Sequence, residues 1–391
     1  MDRIIPLVGI VFFLLVAFLV SKDRNKIRLR PIVVMLAIQI TLGFILLRSN
    51  IGLSLLSGLA SIFEILLSYA HEGTRFVFGD LVDNNSIFFV TSLMPIVFIS
   101  ALLGILNYLK ILPFIIKWVG LGLSKISGLG KLESYVGVAA MVLGQTEIFL
   151  SIKDFMDDLP PNRLYAMCAP AMSSVSMGIV GAYMLYLDPK YVLAAIPLNL
   201  FGVFVIESII YPYELKEEDD QLIVKDLSQK SFFGVVAEYI KDGFDTAVGV
   251  AAQLIGFTAL IFLINGIFNG LIGISFQEIA GYIFSPIAFL MGVPWAEAVQ
   301  GGSVIATKIV TNEFVAMLEL NNLDFSNERT LAIMSTFLIS FANFSSIGII
   351  TGAVSTINKK QGDVVASFGL KLLLGSTLVS CLTASTIALV F

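Results

Sequence analysis

The sequence predicts an all-α polytopic membrane protein with eight transmembrane helices and two re-entrant helical hairpins in an inverted repeat, with interfacial helices. Three observations support this prediction. Of the 391 residues, 57% are hydrophobic and only 14% are charged, whereas soluble domains carry about 25% charged residues. The mean hydropathy is +0.92, and apolar runs long enough to cross a bilayer recur along the chain. Two further apolar segments carry polar residues at their centres.

Eight apolar runs have the length and composition of membrane spans. The first has no small-residue cleavage site, so we interpret it as a retained helix and not as a signal peptide. The eight runs are Ile4–Val20, Pro31–Leu47, Ile87–Leu106, Arg163–Leu187, Tyr191–Ile210, Ala247–Ile272, Arg329–Val354 and Ala366–Phe391.

Basic residues in the loops predict the orientation. The loop "SKDRNKIRLR" (21–30) carries five basic residues and one acidic residue, which is typical of a cytoplasmic loop. The N-terminus is therefore expected outside, and eight spans place the C-terminus outside as well. Between the second and third spans, residues 51–70 carry a polar side chain at every third or fourth position. One polar stripe on an apolar helix predicts a helix lying on the outer membrane surface.

Two segments are too polar at their centres to be ordinary spans. "SYVGVAAMVLGQTEIFLSIKDF" contains Glu147, and "VQGGSVIATKIVTNEFVAMLEL" contains Glu313. An acidic residue at the centre of a membrane helix costs roughly 2.5–3.5 kcal/mol on insertion scales. Broken backbone at membrane depth is tolerated where protein or water covers it, so we predict re-entrant hairpins at about 134–153 and 297–320.

The two hairpins belong to an internal repeat. Each central glutamate is followed at the same distance by an arginine, Arg163 or Arg329, that opens the next helix. Within those helices "SSVSMGIV" (173–180) resembles "NFSSIGII" (343–350). The charge bias places the two copies on opposite sides of the membrane. Inverted repeats with interrupted helices have their substrate site near the midplane, so the repeat indicates a secondary transporter.

The polar residues of the repeat predict the kind of solute. They offer amide, hydroxyl and carboxylate groups without a cluster of arginines or lysines, which disfavours a phosphorylated or strongly anionic substrate. Phe341 and Phe344 could supply an apolar wall. The residues alone therefore predict a neutral polar solute.

Other classes of protein fit the sequence less well. Two cysteines and the single histidine, His71, cannot build a disulfide framework or a metal cluster. An intramembrane enzyme would need its catalytic residues in the spans, where there is no serine–histidine pair and no suitably placed aspartate pair. The net charge of −5 implies no nucleic-acid partner. A passive channel for a neutral solute remains an alternative, although it would need a lined pore instead of two facing hairpins.

Three motifs in order, "GQTE", "NEFVAMLEL" and "SFANFSSIGII", resemble those of the concentrative nucleoside transporters, in the bacterial branch. The resemblance extends through nearly the whole chain and implies uptake of nucleosides of the uridine, cytidine and adenosine class, without a cofactor. It assigns Gln145 and Thr146 to the nucleobase, with Glu147 helping, and Glu313, Asn343 and Ser346 to the ribose hydroxyls, with Phe341 and Ile179 packing nearby.

The resemblance also implies a homotrimer in the cell membrane, in which a mobile transport domain slides against a fixed scaffold built partly from the third and sixth spans. The chain then divides into scaffold helices at 1–106 (with the interfacial helix 51–70), a first transport half at 107–210, an acidic cytoplasmic linker and the sixth scaffold helix at 211–273, and a second transport half at 274–391.

The coupling ion is the point at which this chain departs from the sodium-coupled relatives. They carry an asparagine that coordinates the ion at the position of Ala140. Ser173, Ser174 and backbone carbonyls remain as candidate sodium ligands. A proton needs only a carboxylate with a raised pKa, and Glu147 and Glu313 are the candidates. We therefore favour proton coupling, with sodium as the alternative.

Three residues have simpler explanations. Either hairpin glutamate could be a structural cap that accepts backbone N–H bonds in a broken helix. Lys308 could pair with Glu313, or its long side chain could extend to the membrane interface.

Overall fold

The fold is a bundle of helices in which short, broken helices pack among long ones. The computed structural model describes residues 3–83, 87–214, 220 and 231–391; most of the predicted acidic linker lies outside them. The α-helices of the described residues are α1 Ile4–Leu19, α2 Leu29–Arg48, α3 Asn50–Phe78, α4 Pro95–Tyr108, α5 Ile111–Ser127, α6 Lys131–Ala140, α7 Glu147–Ser151, α8 Pro161–Ser173, α9 Met177–Tyr183, α10 Pro189–Ile210, α11 Phe232–Ile272, α12 Phe276–Met291, α13 Ala298–Val310, α14 Glu313–Asn322, α15 Glu328–Leu338, α16 Phe344–Ile357 and α17 Lys359–Val390.

Seven helical segments of the described residues are long and apolar enough to cross a membrane. Six of them coincide with predicted spans: Leu29–Arg48, Phe89–Tyr108, Pro161–Tyr183, Pro189–Ile210, Phe232–Ile272 and Lys359–Val390. Of the other two predicted spans, the first is the 16-residue apolar helix α1, and the seventh is divided between α15 and α16. The all-α membrane architecture is as predicted.

The seventh long segment contains α3, the helix predicted to lie on the membrane surface. Its predicted polar stripe is exposed along its whole length, and Ser54, Ser57 and Ser61 line an open groove of about 490 Å³. The opposite face, which includes Leu56 and Phe63, is buried against the protein. Since α3 is also long enough to span a bilayer, its position on the surface stays a prediction.

Two spans predicted as continuous helices are broken, and this part of the prediction is wrong. The span Arg163–Leu187 divides at Ser174–Ser176 into α8 and α9, and the span Arg329–Val354 divides between Leu338 and Phe344. Ser174 competes for the helix backbone because its hydroxyl donates to the carbonyl of Pro170, at 2.8 Å. Asn343 begins a new helix, since its side chain accepts from the N–H of Ser346, at 2.9 Å.

Each predicted hairpin segment contains two helices separated by a break. In the first, α6 and α7 flank residues 141–146; in the second, α13 and α14 flank Thr311 and Asn312. Re-entry from opposite sides of the membrane stays a prediction. A further helix that the list of spans omits, α5 or α12, precedes each segment. The order of helix, hairpin, broken helix and long helix therefore occurs twice along the chain, from α5 to α10 and from α12 to α17.

Glycines let each of these preceding helices pack closely on its hairpin. A Cβ atom on Gly302 of α13 would lie 2.3 Å from the carbonyl oxygen of Gly281 in α12, and one on Gly120 of α5 would lie 2.9 Å from the Cα of Tyr135 in α6. Small residues at such crossings bring helix backbones together within a membrane.

The most buried helices, α8, α10 and α17, form the centre of the molecule, whereas α11 has few buried residues. The contact of α11 with α4 is nevertheless close. A Cβ on Gly104 would lie 2.8 Å from the Tyr239 side chain, and one on Gly243 would lie 2.7 Å from that of Ser100. The amide of Asn107 also donates to the Tyr239 hydroxyl, at 3.0 Å. These contacts join the predicted third and sixth spans into one pair.

Candidate functional site

The two helix breaks contact each other at the centre of the repeat. The N–H of Phe341, in the second break, donates to the carbonyl of Ser174, in the first break, at 3.3 Å. The tip of the first hairpin joins the same place, because the N–H of Met177 donates to the carbonyl of Val142, at 3.3 Å. Backbone groups released by the interrupted helices are thus partly satisfied by one another, as buried backbone requires.

Glu313 is the centre of the polar network in the second half. It is 4% exposed and opens α14, where the positive end of the helix dipole favours a carboxylate. The hydroxyl of Tyr183 donates to its Oε1 at 2.7 Å, and the amide of Asn343 donates to its Oε2 at 3.2 Å. The Asn343 Oδ1 accepts from Ser346, so the three predicted ribose residues lie together.

The first hairpin contributes less buried residues. Gln145 is half-buried and its amide donates to the Ser346 hydroxyl, at 3.2 Å, and to the Ala171 carbonyl, at 3.3 Å. Glu147 is also half-buried, and one of its oxygens accepts from the N–H of Gly144, at 3.2 Å. This bond is the capping role that the sequence leaves as an alternative. Thr146 is exposed at the tip.

The predicted apolar neighbours lie close to the breaks. Ile179 is buried in the first turn of α9, and Phe341 is half-buried in the second break. Both belong to the main apolar cluster of the molecule. The site therefore combines a polar network with apolar side chains on its border.

The two candidate ion-coupling serines point to different partners. The hydroxyl of Ser173 donates to Ser376 on α17, at 3.0 Å. The hydroxyl of Ser174 lies 2.8 Å from the carbonyl of Ala140, at the end of the first hairpin helix. Only Ser174 of these two serines therefore links the first break to Ala140, the position on which the prediction of proton coupling depends.

Three contributing residues were not assigned to the site from the sequence. The sequence does not indicate Tyr183, because a tyrosine in an apolar helix carries no signal of its own. Asn199 on α10 donates to the carbonyl of Ile339, at 2.5 Å. Lys308 neither extends to the interface nor donates to Glu313; its buried ammonium donates instead to the carbonyl of Phe337, at 2.5 Å.

The arrangement can bind a solute but offers little for covalent chemistry. It provides a carboxylate, two amides and a hydroxyl, which pair with neutral donors and acceptors. Among the described residues, no group of three or more histidine, cysteine, aspartate or glutamate side chains could hold a metal ion. The residues fit recognition of a neutral solute rich in hydroxyls.

Comparison with known proteins identifies the family. Family profiles match at residues 8–81 (Na+ dependent nucleoside transporter N-terminus), 89–190 (nucleoside recognition) and 191–388 (Na+ dependent nucleoside transporter C-terminus). The chain is 34% identical to the purine nucleoside transport protein NupG of Bacillus subtilis, over 99% of this chain and 98% of that protein. It is 31% identical to the nucleoside permease NupC of Helicobacter pylori, over 98% and 97%. The structure of CNTnw in an inward-facing substrate-bound state is similar with a TM-score of 0.94 and 29% identity, and it covers 100% of this chain and 99% of that one.

Proposed function

Because the chain belongs to the concentrative nucleoside transporters, which take up nucleosides together with an ion, we propose that it is a proton-coupled nucleoside symporter of the cell membrane. Members of this family are transporters and not enzymes, and they use no cofactor. The observation that carries the assignment of the site is the contact between the two helix breaks. It brings Gln145 from one half of the chain to Ser346 from the other half.

The substrate is a nucleoside of the uridine, cytidine or adenosine class, held between the two halves. Its ribose hydroxyls donate to Glu313 and bond to Asn343 and Ser346. These three residues already form one hydrogen-bonded group, so a ribose meets a pre-arranged set of partners, which lowers the cost of binding. The base lies towards Gln145, Thr146 and Glu147, with Phe341 and Ile179 beside the rings.

Proton coupling is supported by the oxygen atoms around the first break. Ala140 has no side-chain oxygen, and its carbonyl lies 2.8 Å from the Ser174 hydroxyl, which is equally close to the Pro170 carbonyl. The Val142 carbonyl accepts from Met177. A sodium ion needs several oxygen ligands at once, whereas a proton needs one carboxylate. Glu147, on the first hairpin segment, and Glu313, in the polar network, are the candidate carboxylates, and sodium coupling is the alternative.

Transport proceeds by movement of the hairpin-bearing domain against a scaffold that contains α4 and α11, with the hairpins as inner and outer gates. The closely packed α4–α11 pair supports a rigid scaffold. A homotrimer is part of the same proposal, and the exposed apolar side chains of α3 and α11 offer surface for contacts between copies as well as for lipid. Both termini lie outside the cell on this proposal.

The test is uptake of labelled uridine and adenosine into proteoliposomes under an imposed proton gradient or an imposed sodium gradient. We expect saturable accumulation driven by protons alone. Accumulation that requires sodium would keep nucleoside transport and overturn the ion assignment, whereas uptake that neither saturates nor follows a gradient would favour a channel.

A pair of variants tests the site in the same assay. Glu313→Gln should abolish binding and uptake, because an amide cannot replace the acceptor pair that faces the ribose hydroxyls. Glu64→Gln removes an exposed carboxylate from α3 and should leave uptake unchanged. Near-normal uptake by Glu313→Gln would contradict the ribose assignment.

A further inference from the structure

Lys308 is a buried lysine on α13, at 0% exposure, in the hairpin of the second half. Its ammonium donates to the carbonyl of Phe337 at 2.5 Å, to the hydroxyl of Ser340 at 2.7 Å and to the hydroxyl of Ser380 at 3.3 Å. The nitrogen also lies 4.4 Å from the centre of the Phe337 ring, where a cation interacts with the face of an aromatic ring. All three donors of the ammonium are therefore used.

These acceptors surround the open end of α15. This helix ends at Leu338, so its last carbonyls have no partners within the helix. A cation is favourable at a helix C-terminus, where the dipole is negative, and an unpaired carbonyl is costly in a dry interior. Lys308 satisfies the Phe337 carbonyl, and Asn199 satisfies that of Ile339. The hairpin thus holds the end of the broken helix directly.

In the first half of the repeat, the equivalent carbonyl at the end of the broken helix is satisfied without a charged group. The spacing that separates Glu147 from Glu313 also separates Ala171 from Phe337 and Val142 from Lys308. In the first half the Ala171 carbonyl accepts from the neutral amide of Gln145. The second break is therefore bound by a positively charged side chain, the ammonium of Lys308. At the equivalent position of the repeat, the first break is bound only by neutral groups.

We propose that Lys308 is a tethered cation that positions the ribose-binding residues, by fixing the second helix break from which Asn343 reaches Glu313. Ser340, which the ammonium binds, lies in the same short break as Asn343, and Asn343 donates to Glu313 at 3.2 Å. This inference rests on the proposed function, because it assigns Glu313 and Asn343 to the ribose.

The test is the ratio of affinities for uridine and 2′,3′-dideoxyuridine, measured by calorimetry on purified protein. Lys308→Met keeps most of the side-chain volume and removes the charge. We expect this variant to reduce the ratio of the two affinities by about tenfold or more. It removes the hydrogen bonds of the charged ammonium to the second break, and that break positions Asn343 for the ribose contacts. The affinity for dideoxyuridine should not change. Lys125→Met, which removes an exposed lysine from α5, is the matched control.

A simple structural role would weaken both ligands equally, so an unchanged ratio in Lys308→Met would overturn the inference. If the wild-type protein does not distinguish the two ligands, the ribose assignment itself fails. If Lys308→Met is not monodisperse, Ser340→Ala removes one acceptor and keeps the lysine; it should also reduce the ratio, and an unchanged ratio there would be equally decisive against the proposal.

Chemical rescue gives a second measurement. Lys308→Ala leaves a space the length of the missing side chain, and added propylammonium should restore part of the uptake. The uncharged 1-propanol should not. Equal rescue by the alcohol would show that the space, and not the charge, matters, and would contradict a tethered cation.

Discussion

The hydroxyl of Tyr183, at the end of α9, donates a 2.7 Å hydrogen bond to Glu313, at the start of α14. The two residues belong to different halves of the repeat, so a carboxylate proposed to bind substrate in one half is oriented by a phenol from the other. Tyr183 is fully buried, and its ring packs edge-on against Phe314, with ring centres 4.9 Å apart. The phenol is therefore fixed by packing before it meets the carboxylate.

Tyr183→Phe removes this bond and keeps the ring. We expect uridine affinity to fall by roughly tenfold, which corresponds to about 1.5 kcal/mol for a hydrogen bond to a charged group, while the melting temperature changes little. Calorimetry with uridine and a thermal scan measure both quantities. Tyr282→Phe, at an exposed tyrosine of α12, is the control, and unchanged affinity in Tyr183→Phe would contradict the role of Tyr183.

Ala140→Asn introduces a side-chain oxygen at the end of α6, beside the first break. On the proposed ion assignment, this variant should acquire sodium-stimulated uptake, because the added ligand joins the carbonyls around Ser174. Uptake by proteoliposomes with and without sodium measures the effect. Ala140→Val adds volume without an oxygen and should show no sodium stimulation; stimulation in both variants, or already in the wild-type protein, would argue against the meaning assigned to Ala140.

Gly302 is a position at which any side chain collides with backbone. Gly302→Ala places a methyl group 2.3 Å from the Gly281 carbonyl oxygen, and we expect a loss of about 1–3 kcal/mol of stability, the usual cost of overpacking. Gly266→Ala in α11 has open space around it and should be neutral or slightly stabilising. Melting temperatures of the two purified variants make the comparison. Equal stability would show that α12 and α13 separate easily.

The ion pair between Glu133 and Arg163 joins the first hairpin to the broken helix that follows it. Their atoms are 2.5 Å apart, and the Glu133 side chain is fully buried. Arg163→Met leaves that carboxylate without its cation and should cost roughly 3–5 kcal/mol. The double variant Glu133→Gln with Arg163→Met should recover part of this loss. If the single and double variants have the same melting temperature, the ion pair contributes little to the stability of the protein.

The sequence predicts the parts of this fold in which hydrophobicity changes abruptly. Glu147 and Glu313 stand out because a carboxylate is rare within an apolar run, and the prediction of both hairpin segments follows from them. The breaks at Ser174 and Asn343 could not be found in this way. Serine and asparagine are tolerated within apolar helices, and whether they interrupt one depends on which partners the fold places beside them.

The site shows the same limit. Gln145, Asn343 and Ser346 were predicted together, because motifs fix their order along the chain, and the structure brings them into one hydrogen-bonded group. Tyr183 is not indicated by the sequence, and the two alternatives for Lys308 do not include its partners Phe337 and Ser340, since both roles depend on contacts between segments far apart in sequence. The neighbouring residues in the sequence do not distinguish a buried lysine from a lysine that reaches the membrane interface.

The length of α11 has a consequence for the lipid around the protein. At 1.5 Å per residue, its 41 residues extend for about 60 Å. The predicted span Ala247–Ile272 carries no charged residue and takes up about 39 Å of this length, more than the roughly 30 Å of a bilayer's hydrocarbon core. An apolar stretch longer than the core tilts to fit it. Because Gly104 and Gly243 bring α4 against α11, the two helices must tilt as one body. Acyl-chain length should therefore set the angle of this pair, and so the slope of the surface along which any neighbouring domain moves.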